Sequence, residues 1–193
     1  IKVSKENLKV HIVNLEEGKE IKTYEITDLL SYSIKIAYSK DLSCIWVGGE
    51  LKDSSWPIKS CIKQIRVLGN EVKEINLGET ESKDFIDQIY VSPNNDYVAV
   101  AYNGSKEDYL KIWDVKKAEW EKINKSTKIK NIYGGYYYSN KQSITFGKVS
   151  NQIAVCKKDD TIEIIDLDER KIKHKILEDN ENQREYDGYG ENT

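Results

Sequence analysis

The segment from Ser92 to Val115 reads SPNNDYVAVAYNGSKEDYLKIWDV, and the fold prediction starts from it. A Ser-Pro-Asn-Asn turn leads into Tyr97 to Tyr102, a nearly continuous apolar run of the kind found in strands that are packed on both faces. A short β-rich run that begins at Leu110 follows, and a polar turn comes after it. The segment therefore predicts neighbouring strands of an antiparallel sheet.

The same arrangement of a β-rich run, a polar turn and an alternating run recurs along the chain, and each copy predicts a hairpin. The four copies are Leu8 to Ile26, Ile62 to Leu77, Leu110 to Ile123 and Ile162 to Leu177. When the ends of their first runs are aligned, Asn14, Val67, Asp114 and Asp166 fall in register, about 50 residues apart. A period of this size suits a four-stranded propeller blade.

A second pair of strands is predicted between successive hairpins, in the ranges 33–47, 85–102 and 143–156. In each pair the first strand alternates and the second is nearly continuous in apolar residues. An alternating strand has one solvated face, whereas a continuous apolar strand is packed on both. We expect this contrast for the inner strands of a blade that lies between two others.

These residues resemble the WD-repeat family. Ser92-Pro93-Asn94-Asn95 is similar to the Ser-Pro-Asp-Gly turn of that family, and Trp113-Asp114 is its signature dipeptide, with weaker versions at Ile165-Asp166 and Val13-Asn14. The resemblance implies an all-β fold, a β-propeller built of four-stranded antiparallel blades. The family's Gly-His dipeptide is absent, and both His11 and His174 lie inside hairpin strands, so its Asp-His-Ser-Trp hydrogen-bond tetrad is incomplete.

The repeat divides the chain into about three and a half blades. Residues 1–26 are expected to be the outer hairpin of a preceding blade, the ranges 27–77, 78–123 and 124–177 one blade each, and 178–193 a mobile acidic tail. So few blades do not close a ring, because propellers need about four or more. We therefore expect the chain to be part of a larger propeller or to pair with other blades or other protein chains.

Charge and composition bound the class of partner. The 30 Lys and Arg residues are interspersed with 33 Asp and Glu, which leaves a formal net charge of −3. This balance gives no electrostatic reason to expect nucleic acid, and no apolar run is long enough to cross a membrane. The three cysteines, Cys44, Cys61 and Cys156, have no disulfide-like spacing, which favours a reducing, cytoplasmic location.

No motif for catalysis, metal binding or a cofactor is present. The sequence lacks a phosphate-binding glycine loop, a His-Glu-x-x-His helix and a serine nucleophile elbow. We interpret Asp114 and Asp166 as turn residues that accept local backbone hydrogen bonds, rather than as acids or metal ligands. We interpret His11 and His174 as ordinary blade residues.

Aromatic residues in two enlarged loops are the candidate protein interface. They are Trp56, in one loop, and Tyr133, Tyr136, Tyr137 and Tyr138, in a glycine-containing connection. Tyrosine and tryptophan are favoured at interfaces. The alternatives are that the tyrosines belong to the inner strand region of the last blade and that Trp56 packs. In the order of strands that the resemblance implies, both loops open on the same side of the ring.

Three functional hypotheses follow. The first is a non-catalytic protein-protein interaction scaffold of WD-repeat type, as rigid blades with variable loops favour. The second is a regulatory propeller attached to an enzyme domain, such as a peptidase or kinase, outside this chain. The third, a propeller enzyme that uses its central channel, would need clustered histidines or carboxylates at the inner blade edges, and the sequence lacks them.

Overall fold

The computed structural model describes residues 2–4, 9–52, 59–67, 72–75, 85–103, 109–120, 127–128, 144–148, 151–157 and 161–177. Trp56, Tyr133, Tyr136, Tyr137, Tyr138 and the tail 178–193 lie outside these ranges. The regular structure within them is β-strand, arranged in four antiparallel sheets that follow one another along the chain. No helix able to cross a bilayer occurs in this described part.

The first two sheets use the amino-terminal strands. The first sheet, in the order β1-β2-β3, contains β1 (Lys2–Ser4), β2 (Lys9–Asn14) and β3 (Lys19–Glu25). The second, in the order β4-β5-β6-β7, contains β4 (Lys35–Tyr38), β5 (Cys44–Glu50), β6 (Ser60–Arg66) and β7 (Val72–Ile75). Strand β1 adds a third strand to the hairpin expected from the sequence.

The other two sheets repeat this plan. The third contains β8 (Phe85–Val91), β9 (Tyr97–Asn103), β10 (Tyr109–Asp114) and β11 (Glu119–Trp120), with β12 (Thr127–Lys128) also paired to β10. The fourth contains β13 (Ile144–Phe146), β14 (Gln152–Cys156), β15 (Thr161–Asp166) and β16 (Lys171–Leu177). This serial arrangement of antiparallel meanders is a partial β-propeller.

All four predicted hairpins are confirmed as antiparallel pairs. The return strand of the third hairpin begins at Glu119, directly after a four-residue turn. The last residue of this turn, Ala118, has a φ of 55°, and Arg170 and Gly18 have similar values at the ends of the corresponding turns. A residue in this left-handed conformation reverses the chain direction, so the return strand starts directly after the turn.

The alignment of Val67 with Asp114 was wrong by one residue. The backbone N–H groups of Val67, Val115 and Leu167 make the same hydrogen bond, to the carbonyl that ends the first turn of their sheet. Arg66 therefore occupies the position of Asp114 and Asp166. The sequence alignment slipped because Arg66 lacks the turn-capping carboxylate that marks the other two positions.

The sheets pack face to face in chain order. We call the face that a sheet turns toward the following sheet its forward face, and the opposite one its backward face. Three apolar layers fill the spaces between consecutive sheets. Val10 and Val47 belong to the first layer, Trp46 and Val98 to the second, and Ala99, Ile112, Ile153 and Val155 to the third.

Burial along the second strand of each sheet reflects these layers. Strands β5 and β9 are buried continuously, as expected for strands packed on both faces. Strand β14 was expected to behave in the same way, but its burial alternates, with Ile153 and Val155 buried and Ala154 and Cys156 partly exposed. The reason is that no further sheet of the described part covers the forward face of the fourth sheet.

Candidate interaction surfaces

The aromatic residues singled out by the sequence, Trp56, Tyr133, Tyr136, Tyr137 and Tyr138, all lie outside the described ranges. The structure therefore neither brings them together nor separates them, and their role as an interface stays a prediction. The surfaces that the described residues do form lie at the turns, along the first strands of the sheets and on the last sheet.

Short turns at one end of the sheets are built by side chains that bond their own backbone. Asp114 Oδ1 accepts hydrogen bonds from the backbone N–H groups of Lys116 and Lys117, each at 2.9 Å, and Asp166 accepts one from Glu169 at 2.9 Å. Asn14 Oδ1 accepts the corresponding bond from Glu16 at 2.9 Å. The predicted turn-capping role of Asp114 and Asp166 is confirmed.

Side chains of the turns also join one sheet to the next. Asn95 Nδ2 donates to Asp41 Oδ1 at 3.1 Å, which links the second and third sheets. Asn94 Nδ2 donates to Asn151 Oδ1 at 2.5 Å, and Asn151 Nδ2 donates to Asp168 Oδ1 at 2.9 Å in the fourth sheet. We call these five residues the turn belt, and it holds the turns of three sheets in fixed relative positions.

The electrostatics of the belt agree with its hydrogen bonds. Hydrogen bonds from Ser39 and Ser43 hold the pKa of the Asp41 carboxyl well below its usual range, so Asp41 stays ionised. The Tyr97 hydroxyl donates to Asp168 Oδ1 at 3.1 Å, and burial, followed by that hydrogen bond, raises the pKa of Tyr97 to about 12. Carboxylate acceptors thus face donors that keep their protons at neutral pH.

The sequence placed Asn94 and Asn95 in a turn but did not reveal the belt. An asparagine side chain in a turn can bond its own backbone or a neighbouring turn, and a single sequence does not distinguish the two. The available signal was the recurrence of Asp or Asn at matched turn positions, as at Asp41 and Asn94.

The first strands of the second, third and fourth sheets line a common cavity of about 370 Å³. Its wall is mainly aliphatic and aromatic, and is formed by Ala37, Tyr38, Ile89, Tyr90, Val91, Pro93, Ile144, Thr145 and Phe146. This volume falls at the lower end of the range for ligand-binding clefts, roughly 300–1,000 Å³. We call this cavity the inner groove.

The groove exposes polar groups as well as apolar ones, including the side chains of Tyr38, Tyr90 and Thr145. Tyr90 donates a hydrogen bond to Gln88, and burial, followed by the charge of Asp87, raises the pKa of Tyr90 to about 12. Its hydroxyl group therefore remains a neutral donor. Tyr38 is 57% exposed although it lines the groove. The groove thus has an apolar part and, at Tyr38, an exposed tyrosine side chain beside it.

Leu42 stands out in the turn that follows Tyr38. It has a φ of 57° and is 53% exposed, so it adopts a left-handed conformation without gaining burial. The equivalent residue in the next sheet is Asn95, with a φ of 61°. Asparagine tolerates this conformation because its short polar side chain can form local hydrogen bonds, whereas leucine loses about 1–2 kcal/mol in it.

The forward face of the fourth sheet is an apolar surface without a covering sheet in the described part of the chain. Ile162 and Ile176 are paired across β15 and β16 and are 40% and 50% exposed. Ala154, Cys156 and Ile164 share this face and are partly exposed. We call these five residues the open face.

Charged groups in the described ranges form pairs rather than a catalytic cluster. Lys63 Nζ lies 2.7 Å from Asp28, and Lys157 Nζ lies 3.3 Å from Glu163. His11 Nδ1 lies 2.6 Å from Glu20 Oε2, on the backward face of the first sheet. Within the same ranges, no group of three His, Cys, Asp or Glu side chains is placed to hold a metal ion.

No protein-family model and no curated protein sequence matches the chain. Among solved structures it is similar to the WD40 repeats of RRP9, with 14% sequence identity, a TM-score of 0.45 and coverage of 76% of this chain and 39% of that one. It is also similar to U3-55K, with 13% identity, a TM-score of 0.45 and coverage of 76% and 39%. The chain spans about two fifths of the length of these structures. In its own strand order and stacked sheets, the chain has the fold of a β-propeller segment.

Proposed function

We propose that the chain is a non-catalytic scaffold that binds another protein at its turn end, through the inner groove and Leu42. The observation that carries the proposal is Leu42, a leucine that is 53% exposed and held in a left-handed conformation in the turn that follows Tyr38, which lines the inner groove. A partner that covers Leu42 would supply the apolar burial that the chain itself does not.

The turn belt supports this proposal because it makes the surface rigid. A binding surface that is already ordered loses less conformational entropy on association than a flexible one. Asp41 precedes Leu42 directly and is hydrogen bonded to Asn95 of the next sheet. The exposed leucine is therefore presented from an anchored turn.

The experiment compares two exposed leucines. Leu42→Gly should leave the fold intact, because glycine adopts a positive φ without strain. It should weaken partner binding about tenfold or more, since truncation of an apolar anchor typically costs more than about 1.4 kcal/mol. Partners that co-purify with the tagged full-length protein are identified by mass spectrometry, and their affinities are then measured with purified components.

Leu15→Ser is the matched control, because Leu15 is 89% exposed in a turn of the first sheet and has no positive φ. This variant should retain every partner. The proposal is contradicted if Leu42→Gly also retains every partner at unchanged affinity, or if both variants lose the same partners to the same extent.

The loops that carry Trp56 and Tyr137 form a second proposed contact, which rests on the sequence alone. In a propeller these loops open on the side opposite the short turns. Trp56→Ala and Tyr137→Ala should each weaken a partner that binds there by about thirtyfold, or about 2 kcal/mol. If both variants fold and keep all partners at unchanged affinity, these aromatic residues have another role.

A further inference from the structure

Glu50 ends β5, at the end of the second sheet opposite the turn that carries Leu42, and a folded-back segment holds its backbone. The backbone N–H of Leu30 donates to the carbonyl of Glu50 at 2.8 Å, and the backbone N–H of Glu50 donates to Ser33 Oγ at 2.9 Å. Ser33 Oγ in turn donates to the carbonyl of Leu30 at 2.9 Å. The segment that leads into the second sheet therefore fixes the position from which the Glu50 side chain extends.

The Glu50 carboxylate is buried without a cationic partner among the described residues. Glu50 is 6% exposed, and the Tyr32 hydroxyl donates to its Oε2 in a long hydrogen bond of 3.4 Å. Two other buried carboxylates, Asp114 and Glu163, each have a lysine ammonium group nearby, at 2.6 and 3.3 Å. A buried charge without a counter-charge is costly. Burial accordingly raises the pKa of the Glu50 carboxyl, although the hydrogen bond from Tyr32 opposes this shift.

Tyr32 presents its ring to solvent beside this carboxylate. It is 76% exposed, and within the described ranges no lysine or arginine lies over its ring. An arginine side chain would satisfy both groups, because its planar guanidinium stacks on aromatic rings and donates paired hydrogen bonds to a carboxylate. A lysine ammonium group suits the site less well, since it is more strongly hydrated and cannot stack.

We propose that Tyr32 and Glu50 form a binding site for an arginine side chain of a partner protein. The guanidinium group stacks on the Tyr32 ring and pairs with the Glu50 carboxylate. It replaces the hydrogen bond from the Tyr32 hydroxyl at small cost, because that bond is long. The site shares no residue with the inner groove or Leu42, so either proposal can fail without the other.

The probes are N-acetyl-arginine methylamide and its lysine and citrulline analogues, titrated into the ¹⁵N-labelled full chain at pH 7. Citrulline keeps the shape of the arginine side chain and lacks its charge. The backbone amide signals of residues 32, 33 and 50 report binding at this site. We expect the arginine probe to bind at least about tenfold more tightly than the citrulline probe, and more tightly than the lysine probe.

Variants of the two residues separate the contributions of charge and ring. Glu50→Gln keeps the size of the side chain and removes its charge, so the arginine probe should bind at least about tenfold more weakly. Tyr32→Phe keeps the ring and should bind the probe within about threefold of the unchanged chain, whereas Tyr32→Leu should bind at least about threefold more weakly. Glu163→Gln changes a buried carboxylate that already has a lysine partner, and it should bind the probe with unchanged affinity.

Stability distinguishes a binding role of Glu50 from a structural one. In Glu50→Gln the urea midpoint should stay unchanged or rise, because no cation of the described part loses its partner. In Glu163→Gln the midpoint should fall, because the ammonium group of Lys157 loses its counter-charge.

The proposal is overturned if the arginine probe produces no shift at these three amides, or if it binds no more tightly than either analogue. Unchanged affinity in Glu50→Gln would overturn it as well. A urea midpoint that falls as far in Glu50→Gln as in Glu163→Gln would have the same consequence, because the Glu50 carboxylate would then be paired within the chain.

Discussion

Tyr97 begins the second strand of the third sheet, and its hydroxyl group reaches Asp168 at the edge of the fourth sheet. Contacts of this kind decide how the turns fit together, and the sequence reveals only part of them. The turn-capping role of Asp114 could be predicted from the sequence, because a carboxylate before a polar turn commonly accepts hydrogen bonds from the backbone of that turn. The hydrogen bonds that Asn94 and Asn151 make to the neighbouring turn could not be predicted, because a side-chain amide can donate to many different acceptors.

The raised pKa of Tyr97 has a consequence at high pH. The folded chain holds this proton up to about pH 12, whereas an unfolded tyrosine loses it near 10. The stabilisation is therefore complete below pH 10 and is lost as the pH rises through 12, with a slope of at most about 1.4 kcal/mol per pH unit. Urea unfolding between pH 9 and 12 should show a shallower decline for Tyr97→Phe than for the unchanged chain.

Tyr90 provides an internal comparison, because its pKa is also raised to about 12. The decline in the free energy of unfolding should be shallower still in Tyr90→Phe/Tyr97→Phe than in either single variant. A decline of the same steepness in all variants would mean that other groups control the loss of stability at high pH.

At the scale of elements, alternation and apolar runs were enough to locate the hairpins and the second strands. They did not show that β14 is buried on one face only, because its residues resemble those of β9. Ala154 and Cys156 are as small and apolar as Ala99 and Ala101, and only the presence of a neighbouring sheet differs. The pattern of apolar residues indicates that a face of a sheet can be covered. Only the structure shows whether another sheet covers it.

A pair of enlarging substitutions tests this difference. Ala101→Leu should destabilise the chain by about 1–3 kcal/mol, because extra carbon atoms do not fit between the third and fourth sheets. Cys156→Leu, at the equivalent position on the open face, should change the stability by less than about 0.5 kcal/mol. The measurement is urea unfolding of both variants, and equal destabilisation would show that the open face is covered within the chain.

In the described part of the molecule, apolar layers lie between consecutive sheets, and the turn belt joins the second, third and fourth sheets. A chain built from repeats is stabilised by its neighbouring interfaces, so the loss of a link affects more than one sheet. The repeat period of about 50 residues and the recurring hairpin pattern predicted the series of sheets. The division into blades at residues 26, 77 and 123 stays a prediction.

The belt should show this coupling in a double-mutant cycle. Asn151→Ala removes the hydrogen bonds to Asn94 and Asp168 and should cost about 1 kcal/mol of stability. Asn94→Ala should cost a similar amount, and the double variant should cost less than the sum, with a coupling of about 0.5 kcal/mol or more. Strict additivity in urea unfolding would mean that the two side chains act independently.

The central claim is that the sheets pack in series and that the forward face of the fourth sheet is left open. Amide hydrogen exchange of the monomeric chain tests this claim most directly. Strands β9 and β14 are both second strands paired on two sides, but only β9 is covered on both faces. We expect the amides of residues 98–101 to exchange at least about tenfold more slowly than those of residues 153–156, because local opening is easier where few apolar contacts must break. Equal protection of the two strands in the monomer would contradict this packing, since the forward face of β14 would then be covered by the chain itself.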